Sequence, residues 1–354
     1  MSNDFFETDS SEAEIDPDAT PLKAKKVTTQ PYDLIVQTLI DQIQAERINL
    51  RPTFQRGYVW PKDRASKLIE SIILNVPIPP CYLSQAPDFK LDVIDGQQRL
   101  TSILKYINNE YALSGLNVFH QYNGLRFFQL PATTQRQIES HTIRCVVITN
   151  ESDDEIKFDV FERLNTNNIP LNAQELRNCI YRGPLNDLLK ELASEEKWLQ
   201  ILKRKSPDKR MKGEETILRF FSFHIQGVEK YRTPLKNWLS TTASIGSTLD
   251  PHQVESLRAV WERTLCNCLT WFPPHECFRK PGQSAINRGL FDLVTYTASQ
   301  FSTEKATAVR PDFLNRFNNL LKNEEYIDIV SRSVDHKKRT VRRFEIWNET
   351  MAGL

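Results

Sequence analysis

Asp95-Gly-Gln-Gln-Arg99 sets a carboxylate, a glycine, two amides and a guanidinium side by side. Val93 and Ile94 precede this string as a short apolar strand, and Leu100, Ile103, Leu104 and Ile107 follow it at helical spacing. The spacing predicts a helix with one buried stripe and with Gly96, Gln97, Gln98 and Arg99 at its first turn. A first turn presents unpaired backbone N–H groups and the positive end of the helix dipole, which suits an anion, phosphate above all. Gly96 admits a close approach of backbone to ligand, Arg99 adds a forked cation, and Asp95 can hold a metal ion or position a water. The same string also reads as a plain strand–turn–helix corner with Asp95 as N-cap.

Two further polar clusters carry potential chemistry. Phe161-Glu-Arg-Leu-Asn-Thr-Asn-Asn168, followed by Gln174, Glu175 and Arg177, offers donors for phosphates or a base edge. Its residues equally suit capped helix ends around a tight turn. Phe54-Gln-Arg-Gly-Tyr-Val-Trp60 interleaves aromatics with arginine, a pattern that stacks on bases while the guanidinium meets phosphate, or that packs a lid strand into a core.

The elements that position these clusters follow from periodicity. Leu34, Ile35, Leu39, Ile40 and Ile43 predict a helix over residues 33–44, and Ala65, Leu68, Ile69, Ile72 and Ile73 predict another from Asp63. Val76-Pro-Ile-Pro-Pro80 breaks that helix and leads into a strand, Cys81-Tyr-Leu-Ser84. Ile143-Arg-Cys-Val-Val-Ile148 reads as one β-branched strand. Ser152 with Glu155, and Asn172 with Glu175, have the spacing of capping boxes. Beyond Leu185 the pattern is helical throughout. The expected class is α+β: a mixed sheet with helices in the N-terminal half, then an all-helical domain. The expected boundaries are an acidic disordered leader over 1–29, a first domain over 30–184 and a helical domain over 185–354.

At 354 residues the chain can build two cores. It has no apolar run long enough to span a bilayer and no basic, apolar start, so it reads as soluble and cytoplasmic. Its six cysteines are scattered, which fits a reducing compartment, and the C-x-C spacing of Cys266 and Cys268 near His275 and Cys277 is atypical of a zinc site. The net charge of +1 hides an asymmetry: Asp4, Glu7, Asp9, Glu12, Glu14, Asp16 and Asp18 precede any basic residue, leaving a mildly basic body. Two basic blocks, one containing Lys209 and Arg210 and one containing Lys338 and Arg339, are candidate contacts to a nucleic-acid backbone or simply solvated faces.

Phe54-Gln-Arg-Gly-Tyr-Val-Trp60, Pro77-Ile-Pro-Pro80, Asp95-Gly-Gln-Gln-Arg99, Phe161-Glu-Arg-Leu-Asn-Thr166 and Leu171-Asn-Ala-Gln-Glu-Leu-Arg177 occur together and in this order. The set closely resembles the N-terminal domain family of GmrSD-type modification-dependent restriction systems, built on a ParB/sulfiredoxin-like fold. The resemblance covers residues 30–180 and continues more loosely to Phe220. It implies binding of a nucleoside triphosphate with Mg2+, with hydrolysis at a site that is not a P-loop, coupled to recognition of foreign DNA. By motif, Asp95, Gln97, Gln98 and Arg99 would be the catalytic box, with Asp95 on the metal. Gly96, Thr101, Arg163, Asn165, Gln174 and Arg177 would bind the nucleotide, and Gln55, Arg56 and Tyr58 would meet DNA. The chain resembles the short form that lacks a His-Asn-His nuclease domain, so a separate nuclease is the expected partner. A nucleotide-switched clamp or adaptor that does not hydrolyse is the alternative. Sulfiredoxins carry a cysteine in the phosphate-binding turn, where this chain has Gln97 and Gln98, so sulfinic-acid reduction is not expected.

Overall fold

A computed structural model describes residues 5–7, 27–50, 58–86, 88–152, 154–164, 171–332 and 334–354. The chain divides into two units, one over Lys23–Ile180 and one that contains Tyr181–Leu354 and residues 5–7. The class is α+β, with a small mixed sheet in the first unit and a second unit made of helices.

In the first unit the strands are β1 (Thr29–Pro31), β2 (Leu34–Ile35), β3 (Ile48–Asn49), β4 (Cys81–Gln85), β5 (Leu91–Asp95), β6 (Thr142–Ile143) and β7 (Cys145–Ile148). The main sheet has the order β1-β7-β4-β5-β3, and β2 pairs with β6 in a separate two-stranded ladder. β4 runs parallel to β7 and antiparallel to β5. The helices are α1 (Val36–Gln44), α2 (Lys62–Ile73), α3 (Gln97–Ile107), α4 (Ala132–Ser140), α5 (Asp154–Leu164) and α6 (Ala173–Ile180). Their apolar stripes meet in one core: Leu39 and Ile40 of α1, Ile69 and Ile72 of α2, and Leu100 and Ile103 of α3 pack with Leu83, Val93 and Val147 of the sheet.

Two local differences from periodicity have tertiary causes. The helix expected over 33–44 starts at Val36, because Leu34 and Ile35 pair with Ile143 and Thr142. The run 143–148 is two strands, since the backbone leaves the β2 ladder at Ile143 and joins β4 at Cys145, while the Asp33 carboxylate accepts from the Cys145 N–H at 3.3 Å. Within the span of the expected leader, residues 5–7 sit on the helical unit and β1 begins at Thr29. Its remaining residues, 1–4 and 8–26, lie outside the described ones.

The second unit comprises α7 (Pro184–Ala193), α8 (Glu196–Ile201), α9 (Lys212–Gln226), α10 (Leu235–Gly246), α11 (Pro251–Trp271), α12 (Arg288–Ser299), α13 (Thr303–Leu320), α14 (Glu324–Ser331) and α15 (Lys337–Met351). Large aromatics fill its centre, with Trp198, Trp261, Trp271, Trp347 and Phe221 fully buried. The same interior holds charge. Asp292 of α12 takes both Arg219 of α9, at 2.6 and 2.7 Å, and Arg343 of α15, at 2.7 Å. Arg219 reaches on to Asp335 at 2.6 Å, and Arg343 also donates to the Val334 carbonyl. Among the described residues no helix is long and apolar enough to cross a membrane.

Candidate nucleotide-binding corner

β5 delivers the polar string through a bulge. Tyr82 faces Asp95 and Leu83 faces Val93, so Ile94 is an extra residue that re-aims the end of the strand. Gly96 then turns the chain at φ +100° and serves as N-cap of α3 without a side chain. A glycine is needed here twice over. Positive φ disfavours any Cβ, and a Cβ at this point would lie 2.4 Å from Cys81 Sγ. Residues 97–99 therefore form the first turn of α3, as the spacing predicts, while the capping position falls to Gly96 instead of Asp95.

Asp95 is engaged differently. Its Oδ2 accepts from Arg99 Nη2 at 2.7 Å, an i, i+4 pair in which both side chains remain partly exposed (16% and 13%). The same guanidinium donates to the carbonyls of Pro79, through Nη1, and Pro80, through Nη2 at 3.2 Å. The Pro77-Ile-Pro-Pro80 break thus has a second use: its carbonyls, which no ladder occupies, hold Arg99 beside the helix end. The sequence marked the prolines as a stop and missed them as acceptors.

Gln98 closes another side. Its Oε1 accepts from the backbone N–H groups of Val59, at 2.9 Å, and Trp60, at 3.3 Å. The Tyr58 hydroxyl lies 3.0 Å from Ser102 Oγ, and Lys105 Nζ stands 5.0 Å over the Tyr58 ring. The segment 58–60 is therefore stitched to α3 along Gln98, Ser102 and Lys105. Thr101 is buried, 4% exposed. Beneath Gly96, Cys81 and Cys145 are buried neighbours across β4 and β7; hydrogen bonding to Cys81, with burial, pushes the Cys145 thiol far up.

The second cluster lies on α5 and α6. Asn172 and Glu175 form the expected capping box, Asn172 Oδ1 accepting from Glu175 N–H at 2.9 Å and Glu175 Oε2 from Asn172 N–H at 2.6 Å. Arg177 Nη1 donates to Gln174 Oε1 at 3.0 Å, Gln174 Nε2 donates to Asn178 Oδ1 at 2.9 Å, and the Arg177 guanidinium stands 5.8 Å over Phe158. Gln174, Arg177 and Asn178 are buried and bonded to one another. Arg163, in contrast, is 77% exposed and pairs with Asp159 at 2.8 Å. The Ser152 hydroxyl, expected to cap α5, accepts from the Thr28 N–H at 3.0 Å and donates to its carbonyl at 3.1 Å, tying down the entry to β1. Gln55, Arg56 and Asn165 lie outside the described residues.

The basic blocks of the helical unit separate into two kinds. Lys209 and Lys338 are exposed and Arg210 half-buried. Arg339 is a strut: it donates to the Asp328 carboxylate at 2.5 Å and to the carbonyls of Asp328 and Arg332 at 2.7 and 2.9 Å. Arg343, four residues on, belongs to the buried cluster around Asp292. A run of arginines in sequence is thus partly core.

A strand that ends in a glycine-capped helix start, flanked by an Asp–Arg pair, defines an α+β domain with an anion-suited corner. Residues 36–182 match the family model described as GmrSD restriction endonuclease, N-terminal domain. A comparison with curated proteins gave no match.

Proposed function

We propose that the chain is a nucleoside-triphosphate-dependent DNA-sensing subunit of a restriction-type defence system against phage or other foreign DNA, working with a separate nuclease in the cytoplasm. The observation that carries this reading is the start of α3: Gly96 in a left-handed turn opens the helix beside the pair that Asp95 makes with Arg99. Backbone N–H groups at a helix start and a neighbouring guanidinium are the donors a polyphosphate requires. Among the described residues no three His, Cys, Asp or Glu side chains gather to hold a metal ion alone. That donor set suits Mg2+, which keeps waters and takes one or two carboxylates plus phosphate oxygens. Asp95 would supply the carboxylate. Mg2+ would neutralise phosphate charge, and the residues of the corner would orient the phosphates. Gln174 and Arg177 would form a second wall, and Lys209 and Lys338 are cations available to a DNA backbone. Six free thiols agree with a reducing compartment.

A specific observation also favours a second reading, a clamp that binds nucleotide and does not hydrolyse it. Asp95 is paired with Arg99, so its carboxylate is already charge-compensated. Phosphate release separates the two. The purified chain is offered each of the four ribonucleoside triphosphates with Mg2+, alone and with modified or unmodified duplex DNA. Turnover of at least one triphosphate, raised by DNA, is the expected result, with DNA affinity falling steeply as salt rises. Tight binding without release would establish the clamp. Neither binding nor release would overturn both readings.

A further inference from the structure

The helical unit carries a cleft already filled by a three-residue extended segment, Phe5-Phe6-Glu7. Ile286 reads its backbone from both sides: the Ile286 N–H donates to the Phe5 carbonyl at 2.9 Å and the Ile286 carbonyl accepts from the Glu7 N–H at 3.0 Å. Phe6 is buried at 3% exposure, with the Arg288 guanidinium 5.3 Å over its ring, and Arg204 stands 5.5 Å over Phe5. The Glu7 carboxylate is held in a fork, Oε2 accepting from Asn287 Nδ2 at 2.7 Å and pairing with Lys280 Nζ at 3.2 Å.

Each part of the segment therefore has its own reader. The paired main-chain bonds demand an extended chain. Guanidinium groups over both rings select aromatics. The ammonium–amide fork selects a carboxylate. The fork does not depend on the segment, because Asn287, 1% exposed, also caps α12 through Leu290 N–H at 2.8 Å and donates to the Val330 carbonyl at 2.8 Å. Three residues with two main-chain bonds make a ligand-sized contact, far smaller than the aromatic core it docks upon.

We infer that this cleft is a peptide-recognition site, that its partner in trans is another protein presenting an extended aromatic–aromatic–acidic segment, and that Phe5-Phe6-Glu7 is its built-in competitor. A ligand carried on the same chain competes at an effective concentration that does not depend on protein concentration, so the intramolecular segment keeps weak binders out and yields only to a better or more abundant one. The inference is independent of nucleotide binding at α3.

The test compares the full chain with a chain lacking residues 1–7, using a fluorescent peptide of residues 2–9 and anisotropy as readout. The shortened chain stays folded by thermal denaturation and binds the peptide saturably, and the full chain binds it at least tenfold more weakly. Phe6→Ala in the peptide lowers affinity at least tenfold. Glu7→Lys does the same, and Lys280→Glu in the shortened chain restores part of that loss. A peptide with unrelated flanks around Trp-Phe-Asp competes, and its Ala-Ala-Lys counterpart does not. A shortened chain that fails to fold would make the segment part of the core and overturn the proposal. Equal binding of the Phe6→Ala peptide, or failure of the Trp-Phe-Asp peptide to compete, would overturn it too. A full chain that dimerises with concentration through exchanged N-termini would put a second copy in place of a separate partner.

Discussion

Asp95 with Arg99, and Asp292 with Arg219 and Arg343, are built from the same two residue types and sit in opposite settings. The α3 corner leaves its pair partly in solvent, at 16% and 13% exposure, and binds the guanidinium further to two proline carbonyls just ahead of β4. The helical unit seals its cluster: Asp292 and Arg343 are wholly buried and Arg219 nearly so, each bonded to groups of another helix or loop. A sealed ion cluster resists exchange with any ligand and acts by fixing how α9, α12 and α15 pack. A partly exposed pair at a helix start can trade one partner for another. Arginine beside aspartate is therefore neither structural nor functional by type. Access to solvent and the nature of the second acceptor decide it.

The contrast breaks most severely at Asp292. Asp292→Ala removes the carboxylate that two buried guanidiniums share and leaves Arg343 without a carboxylate, so the helical unit should lose about 3–5 kcal/mol of stability in urea unfolding. Next comes Gly96→Ala, which adds a Cβ in a left-handed turn against Cys81 Sγ and should cost about 2–4 kcal/mol. Pairing it with Cys81→Ala should return part of that loss, a non-additivity that a double-mutant cycle reads directly. Arg99→Ala should do the reverse of Asp292→Ala, lowering triphosphate affinity at least tenfold in titration calorimetry while stability falls by only about 1–2 kcal/mol.

The smallest effect is a pH dependence at Glu70 of α2. Burial pushes its carboxyl up, but the N–H groups of Val118 (2.7 Å), Phe119 (3.0 Å) and Asn117 (3.2 Å) outweigh that and hold it below its ordinary value. A carboxyl lowered by folding adds stability above its unfolded value, and that addition is lost as pH falls through the folded one. Glu70→Gln should therefore cost about 1 kcal/mol at pH 7. The gap from the parent protein should close in unfolding curves taken progressively below about pH 4.5, the unfolded value.

Much of this was legible without coordinates, for identifiable reasons. The α3 stripe of Leu100, Ile103, Leu104 and Ile107 put Gly96 to Arg99 at the helix start, and the helix begins one residue later, at Gln97 with Gly96 as its cap. The box at Asn172 and Glu175 is a contact between near neighbours, so spacing alone predicts it. What sequence could not show depended on distant partners. The Arg99 acceptors are carbonyls twenty residues upstream. The Ile94 bulge exists only relative to β4. Arg343 looks like any member of a basic run until α12 brings Asp292 to it. The docking of Phe5-Phe6-Glu7 pairs residues some 280 positions apart, and the signal that was available, two aromatics in an otherwise acidic leader, was passed over.

The central claim concerns the amides that open α3. Backbone amide NMR of the full chain, recorded as a ribonucleoside triphosphate with Mg2+ is added, reports on those groups individually. The account predicts saturable shifts concentrated at Gly96, Gln97, Gln98 and Arg99, absent from the Arg99→Ala variant. Saturable binding whose shifts fall elsewhere and leave these four residues unmoved would contradict it.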